Sequence, residues 1–313
     1  ASWMMRADCR YADVSICDLN TALEADGLWL PYGACHVCVR GAVPGFAEML
    51  RRVYGAFPCL TQADFADFHV QLKHGRGLRR YLRPQVRFSI DGVEPFEPFP
   101  VTNALPLFEW GVNWCFGQRF NQFVLLHAGV LESNGRALVM PAVPGSGKST
   151  LTAALMLSGF RLLSDEFGVL RPEDGRLLPM LKPIALKNES IGVIRKFAPD
   201  ACLGPMFAGT RKGDVSHLAP NRASVDGRER AVVPAVVLFP RWEAGAALSL
   251  LPQATEQAFA RLAFNSFNYG LLGPRSFNAV ADLVESSRSY QLTYSRLDEA
   301  LDCVRALMAG EEP

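Results

Sequence analysis

Apolar and polar residues alternate with period two in His36-Val37-Cys38-Val39-Arg40, in Phe68-His69-Val70-Gln71-Leu72 and in Gln85-Val86-Arg87-Phe88-Ser89-Ile90. This predicts three strands, the last closed by the turn pair Asp91-Gly92. Between the first two, Phe46, Met49, Leu50, Val53 and Phe57 recur at helical spacing, which predicts an amphipathic helix over 46–57. Pro95, Pro98 and Pro100 then stiffen an extended link. The pattern therefore divides into a smaller N-terminal α/β unit, 1–102, and a larger unit, 103–313.

The second unit opens with a run, 103–120, that is apolar on most sides (Leu105, Leu107, Phe108, Trp110, Val112, Trp114, Phe116) and predicts a buried helix. Two apolar segments, 123–131 and 136–140, flank Asn134-Gly135 and predict a hairpin. A helical run follows at Leu151 to Leu157, ended by Gly159, and Phe160-Arg161-Leu162-Leu163-Ser164 predicts a strand finishing on Asp165-Glu166. A further hairpin turns at Asp174-Gly175, and Asn188 is placed as the N-cap of a helix reaching about Phe197. The stretch from Ala208 to Val232 is polar and without period, which predicts a long lid-like or disordered loop. Strands are expected at 235–239, 248–251 and 290–294, and helices at 254–264, 274–286 and 296–309.

Composition narrows the class only a little. With 49% hydrophobic and 20% charged residues, the 313-residue chain is an ordinary globular one. A net charge of +1 gives no global electrostatic case for nucleic acid or a membrane surface. No apolar run approaches the roughly 18 residues of a membrane span. Eight cysteines without framework spacing, and no secretory leader pattern, predict reduced thiols and a cytoplasmic setting. Ala1-Ser2-Trp3 ahead of Met4 reads as a remnant of cloning. Cys35-His36-Val37-Cys38 has redox-like spacing, but a strand points its ends to opposite faces, so packed thiols are expected. Lys73, Arg76, Arg79, Arg80, Arg83 and Arg87, interleaved with Tyr81, form a basic cluster that could grip a phosphate or an acidic peptide or simply face solvent.

The strongest chemical signal is Ala142-Val143-Pro144-Gly145-Ser146-Gly147-Lys148-Ser149-Thr150, lying between a strand and a helix. That context is what a phosphate-binding loop requires: glycines let backbone N–H groups face an anion, and the following helix adds its positive end. Residues 144–150 (Pro144, Gly145, Ser146, Gly147, Lys148, Ser149 and Thr150) are accordingly the nucleotide-binding candidates. Lys148 would meet the outer phosphates, and the Ser149 hydroxyl could ligate magnesium. Such a loop needs a carboxylate on a neighbouring strand, and Asp165-Glu166 ends the first strand after the helix. The pair can divide the work, one near a metal and one receiving the proton of an attacking hydroxyl. His127 lies on the hairpin strand beside the loop's own strand. Lys187, Lys212, His217 and Arg241 are second-tier candidates.

His127-Ala128, the hairpin, the loop ending in Lys148-Ser149, and Gly159-Phe160-Arg161-Leu162-Leu163-Ser164-Asp165-Glu166 together resemble the core of the HPr serine kinase/phosphorylase family. Arg83-Pro84-Gln85-Val86-Arg87-Phe88, Leu186-Lys187-Asn188-Glu189-Ser190-Ile191 and Phe267-Asn268-Tyr269 look closer to its HprK-related kinase A group. The resemblance implies an α/β fold with a P-loop kinase domain of HPr-kinase/PEP-carboxykinase-like type behind a smaller N-terminal α/β domain. It implies ATP and Mg²⁺, with Asp165 as acid/base carboxylate, Glu166 as the second acidic position and His127 beside the reacting phosphate. Ser149, Asp165 and Glu166 would then serve the metal. A PqqD-like peptide chaperone is an implied partner. The family usually has aspartate where this chain has Glu166, and no segment matches its HPr-docking or phosphorolysis regions.

The expected activity is transfer of the ATP γ-phosphoryl to a hydroxyl, a serine of a peptide or protein. A small-molecule kinase of a sugar or metabolite, and a nucleotide-gated binder without transfer, are the alternatives. Neither a nucleic-acid nor a membrane partner is expected, and assembly as a homo-oligomer stays open.

Overall fold

A computed structural model describes residues 9–60, 65–75, 77, 82–141, 143 and 145–311. The helices are α1 Ile16–Glu24, α2 Phe46–Tyr54, α3 Ala104–Arg119, α4 Lys148–Leu157, α5 Glu189–Phe197, α6 Arg222–Asp226, α7 Thr255–Phe264, α8 Tyr269–Leu272, α9 Pro274–Glu285 and α10 Leu297–Ala309. The first sheet is made of β1 Leu28–Pro31, β2 His36–Arg40, β3 Phe68–His74, β4 Gln85–Ile90 and β5 Phe99–Pro100, in that spatial order. Only β2 and β3 run parallel, joined by the crossover that contains α2. The turn after β4 carries Asp91 and Gly92 with φ of 50° and 80°, the mirror-image turn that matches strand twist.

The larger sheet is built from β6 Val124–Ser133, β7 Arg136–Pro141, β8 Arg161–Ser164, β9 Phe167–Leu170, β10 Leu177–Leu178, β14 Val233–Trp242, β15 Ser249–Pro252 and β16 Arg288–Tyr294. Its order is β10-β9-β6-β7-β14-β16-β15, with β8 also on β6. Strand β14 runs parallel to both β7 and β16, and its Val236-Val237-Leu238-Phe239 run is buried on both faces. The period of two in the hairpin divides the interior. Leu125 and Leu131 of β6 and Leu138 and Met140 of β7 face one core with α4 and α10. Val124, Leu126, Ala128, Val130, Ala137 and Val139 face another with α7 and α9. The sheet is thus the middle of three layers.

The first of these cores continues into the five-stranded sheet through α3, whose Leu105, Phe108, Val112 and Phe116 belong to it. Backbone hydrogen bonds add to the join: Ala34 N donates to Pro179 O at 2.7 Å and Leu181 N to Tyr32 O at 2.8 Å. Among the described residues no helix is long and apolar enough to cross a membrane.

Two expectations fail here. Residues 208–232 are no lid: β12 Phe207–Thr210 and β13 Gly213–Leu218 join β11 Ile184–Lys187 in a three-stranded sheet of order β11-β13-β12, and α6 follows. The register pairs Ile184 with Leu218 and Leu186 with Ser216, so the core side of β13 carries a serine where alternation calls for an apolar residue. Asn188 is not a side-chain N-cap: its φ is 49° and no cap bond forms, because its Oδ1 accepts from Asp214 N at 3.0 Å and ties α5 to β13. Arg76, Arg79, Arg80 and Tyr81 of the basic cluster lie outside the described residues. Lys73 donates to Ser89 Oγ and Arg87 to His74 O, which commits these two to the sheet. Cys35 and Cys38 point into different apolar clusters, and all eight cysteines are free thiols.

Candidate functional site

The site grows from a break in strand pairing. Strand β6 pairs with β9 through His127 opposite Phe167 and with β8 through Val130 opposite Ser164. Asp165 and Glu166 therefore fall in the interval between the two ladders, beside Ala128 and Gly129. On the other edge of β6, Ala128 and Gly129 pair with Pro141 and Met140, the end of β7 where the chain leaves for the glycine-rich loop. Strand pairing alone brings the loop and the acidic pair to one place. Gly129 permits the close approach of α4, since a Cβ there would lie 2.6 Å from Thr152 Oγ1.

Pro144 and Ala142 lie outside the described residues. Gly145 and Gly147 both have φ of 81°, a left-handed backbone that glycine adopts without steric cost. Gly147 is also walled in, its added Cβ meeting Tyr294 OH at 2.7 Å and Trp242 Cβ at 2.9 Å. Ser146 is held by backbone, donating to Val143 O at 3.1 Å and accepting from Trp242 N at 3.0 Å, while its buried Oγ has no partner among the described residues. Lys148, Ser149 and Thr150 form the first turn of α4, where free N–H groups and the helix dipole favour an anion.

The side chains converge on Asp165. Lys148 Nζ donates to its Oδ1 at 2.8 Å and to its main-chain oxygen, and Ser149 Oγ donates to Oδ2 at 2.9 Å. The Lys148–Asp165 pair is about nine-tenths buried on both sides. Ser164 Oγ accepts from Glu166 N at 3.3 Å and Phe167 N at 3.0 Å, which fixes the turn. His127 Nε2 lies 3.7 Å from Glu166 Oε1, with its ring against Phe267. Burial lowers the His127 pKa most, against the opposing pull of Glu166 and with help from Lys148. The ring is therefore neutral near pH 7, and its approach to Glu166 is a polar contact and not an ion pair.

Behind the acidic pair opens a cavity of about 250 Å³. One wall is α3, through Glu109, Trp110 and Asn113 at helical spacing. The facing wall is the side of the three-stranded sheet that carries Ala185, Lys187, Val215 and His217. Arg211 and Lys212 of the β12–β13 turn stand at its edge, and Asp165 and Glu166 close the side toward the loop. Lys182 crosses the base: its ammonium donates to Glu109 O at 2.9 Å and Asn113 Oδ1 at 2.6 Å and sits 3.1 Å from Glu109 Oε2. Tyr54 OH donates to Glu109 Oε1. His217 is 2% exposed, and its Nδ1 has no partner among the described residues. Burial first, opposed by Glu109 and helped by Lys182, depresses the His217 pKa to about 4. Lys187 is exposed yet held below the usual lysine range, by partial desolvation first and by Lys212 second.

The structure thus brings together Lys148, Ser149, Asp165, Glu166 and His127, and adds Lys187, Lys212 and His217 from the second tier. Arg241 stays apart, exposed and paired with Glu243 at 3.1 Å. Glu109, Trp110, Asn113, Lys182 and Arg211 were not singled out from the sequence; the signal for Glu109 and Asn113 was a polar pair one turn apart on a largely apolar helix. No gathering of three or more His, Cys, Asp and Glu side chains suited to a metal occurs among the described residues. The oxygen donors present, two carboxylates and the Ser149 hydroxyl, fit a hard ion such as Mg²⁺, which keeps several waters and takes one or two carboxylates plus phosphate. No protein-family model matches the chain, and no curated protein does.

Proposed function

We propose that this chain is a magnesium-dependent phosphotransferase that moves the γ-phosphoryl group of ATP to a hydroxyl acceptor, on a P-loop kinase fold of HPr-kinase type. One observation carries the reading: Lys148 and Ser149 of the glycine-rich loop both donate to Asp165, with Glu166 and His127 alongside. A loop that only bound nucleotide would have little use for a second carboxylate facing a cavity.

In the proposed reaction the acceptor oxygen forms a bond to the γ-phosphorus, the bridging β–γ oxygen bond breaks, ADP leaves, and Asp165 takes the hydroxyl proton. The donations from Lys148 and Ser149 fix the orientation of that carboxylate. Lys148 and the first turn of α4 would hold the phosphates. Ser149, Asp165 and Glu166 would hold Mg²⁺, which supplies neutralisation of the phosphoryl oxygens. His127, neutral and half-buried, would donate a hydrogen bond beside the transferring group. A cytoplasmic setting and an association with a PqqD-like chaperone belong to the same reading.

The test is purified chain with Mg-ATP and cell extract, with phosphorylated products read by mass spectrometry. Transfer should be lost in Lys148→Ala and fall by roughly 10²–10⁴ in Asp165→Asn. Tight ATP binding without any transfer would sink the reading and favour a nucleotide-gated binder.

A further inference from the structure

The cavity behind the acidic pair has a charge balance and a lining that speak to the acceptor. Its lining holds three carboxylates (Glu109, Asp165, Glu166) and four cations (Lys182, Lys187, Arg211, Lys212). Glu109 is paired with Lys182, and Asp165 with Lys148 from the loop. Glu166 is left against Lys187, Arg211 and Lys212, and none of these three cations has an ion-pair partner among the described residues. A net positive rim beside a carboxylate pair is an arrangement for a ligand that brings its own negative charge.

The base of the cavity asks for something different. His217 lines this space, buried and neutral, and its Nδ1 has no partner among the described residues. A buried polar atom of this kind costs free energy unless a partner meets it. Trp110 and Val215 offer apolar flanks on opposite walls. At about 250 Å³ the space lies near the lower end of small-molecule sites. A helix on one side, a sheet on the other and the Lys182–Glu109 pair across the base bound the space.

We propose that this cavity is the acceptor site and takes a small hydroxyl compound bearing a carboxylate or phosphate, the anionic group on Lys187, Arg211 and Lys212, the body against Trp110 and His217. The reacting hydroxyl then lies at Asp165 and Glu166. This rests on the phosphotransfer reading above, and it replaces the serine of a peptide or protein as the acceptor.

The test is titration calorimetry on the full chain with three probes: glycerate, glycerol 3-phosphate and neutral glycerol, each with and without a non-hydrolysable ATP analogue and Mg²⁺. At least one anionic probe should bind and glycerol should not; comparison of the two anions identifies the carboxylate or phosphate source. The double variant Lys187→Ala/Lys212→Ala should weaken that anion by roughly tenfold or more while nucleotide affinity stays as in the native chain. Ala185→Trp, which fills the space, should abolish anion binding; the double variant, altered only at exposed positions, keeps the test sound if the tryptophan impairs folding. Absence of binding by both anions overturns the proposal, as does binding indifferent to the two lysines. So does phosphorylation of a serine hexapeptide at equal rates by the native chain and a folded Ala185→Trp. Failure of the nucleotide to bind while the anion still does would refute phosphotransfer and leave the anion site standing.

Discussion

Replacing Lys182 with methionine removes an ammonium group that is about nine-tenths buried and leaves the equally buried Glu109 carboxylate without its cation. Three contacts go at once: Glu109 O at 2.9 Å, Asn113 Oδ1 at 2.6 Å and Glu109 Oε2 at 3.1 Å. Tyr54 still donates to Glu109, which offsets part of the loss. Removing one partner of a buried pair costs about 3–5 kcal/mol, because the remaining charge is stranded in a low dielectric. That is a large share of the roughly 5–15 kcal/mol by which domains are stable. Removing both charges behaves differently: Lys182→Met with Glu109→Leu discards the stranded charge, and about 1–2 kcal/mol should remain, mostly from unpaired Tyr54 and Asn113. Urea unfolding followed by tryptophan fluorescence gives all four corners of the double-mutant cycle, provided the slopes agree. A cost below about 1 kcal/mol for Lys182→Met, or a double variant that costs the sum of the singles, would refute the coupling of the two charges.

Other outcomes follow from the same geometry. His217 has its pKa depressed to about 4, so as pH falls from the ordinary histidine value near 6.5 the unfolded chain takes up a proton first. Stability present above pH 6.5 is therefore lost between about 6.5 and 4, by at most about 3 kcal/mol; urea midpoints measured across this range should slope in the native chain and flatten in His217→Gln. Gly147→Ala sets a Cβ 2.7 Å from Tyr294 OH at a φ of 81° and should lower nucleotide affinity about tenfold or more, read by calorimetry; unchanged affinity would show that the loop relaxes freely. Arg161, buried and donating to Glu132 Oε2, Gly227 O and Arg230 O, cannot be matched by a lysine's point charge. Arg161→Lys should cost about 2–3 kcal/mol in the same unfolding assay, and a change under about 0.5 kcal/mol would contradict the clamp.

What could be read from the chain was whatever a short stretch specifies by itself. Asn134-Gly135 between apolar runs predicts the β6–β7 hairpin, and both residues adopt positive φ there. Gly145 to Gly147 sits between strand and helix, with Lys148 and Ser149 opening the helix as the loop chemistry requires, and Asp165-Glu166 follows at the first strand end. The first 35 residues gave no assignment, although Ser15 caps α1 by accepting from Asp18 N at 3.1 Å, a short-range signal that was present. The three-stranded sheet was hidden for a physical reason. Its strands are short, β12 exposes Ala208 and Gly209, and β13 sets Ser216 toward the core, where its hydroxyl donates to Gly204 O at 3.0 Å. Hydrogen bonding takes the place of apolar burial there, so hydrophobic period carries no information. Lys182 and Glu109 find each other across 73 residues, and no local pattern encodes such a pairing.

The interruption between β8 and β9 explains why the acidic pair can serve two spaces at once. An uninterrupted strand along β6 would direct two consecutive side chains to opposite faces of the sheet. In the break, Asp165 turns to Lys148 and Ser149 while Glu166 approaches His127, and both border the cavity behind α3. On the proposed reading, the donor phosphate binds at the first turn of α4 and the acceptor in the cavity walled by α3. Enlarging the cavity should then alter acceptor choice without altering nucleotide affinity, whereas a change at Gly147 should do the reverse. The wall that separates these effects is the sheet of β11, β12 and β13, whose cavity side supplies Lys187 and His217 and whose core side, through Ile184, Leu186 and Leu218, holds it in place.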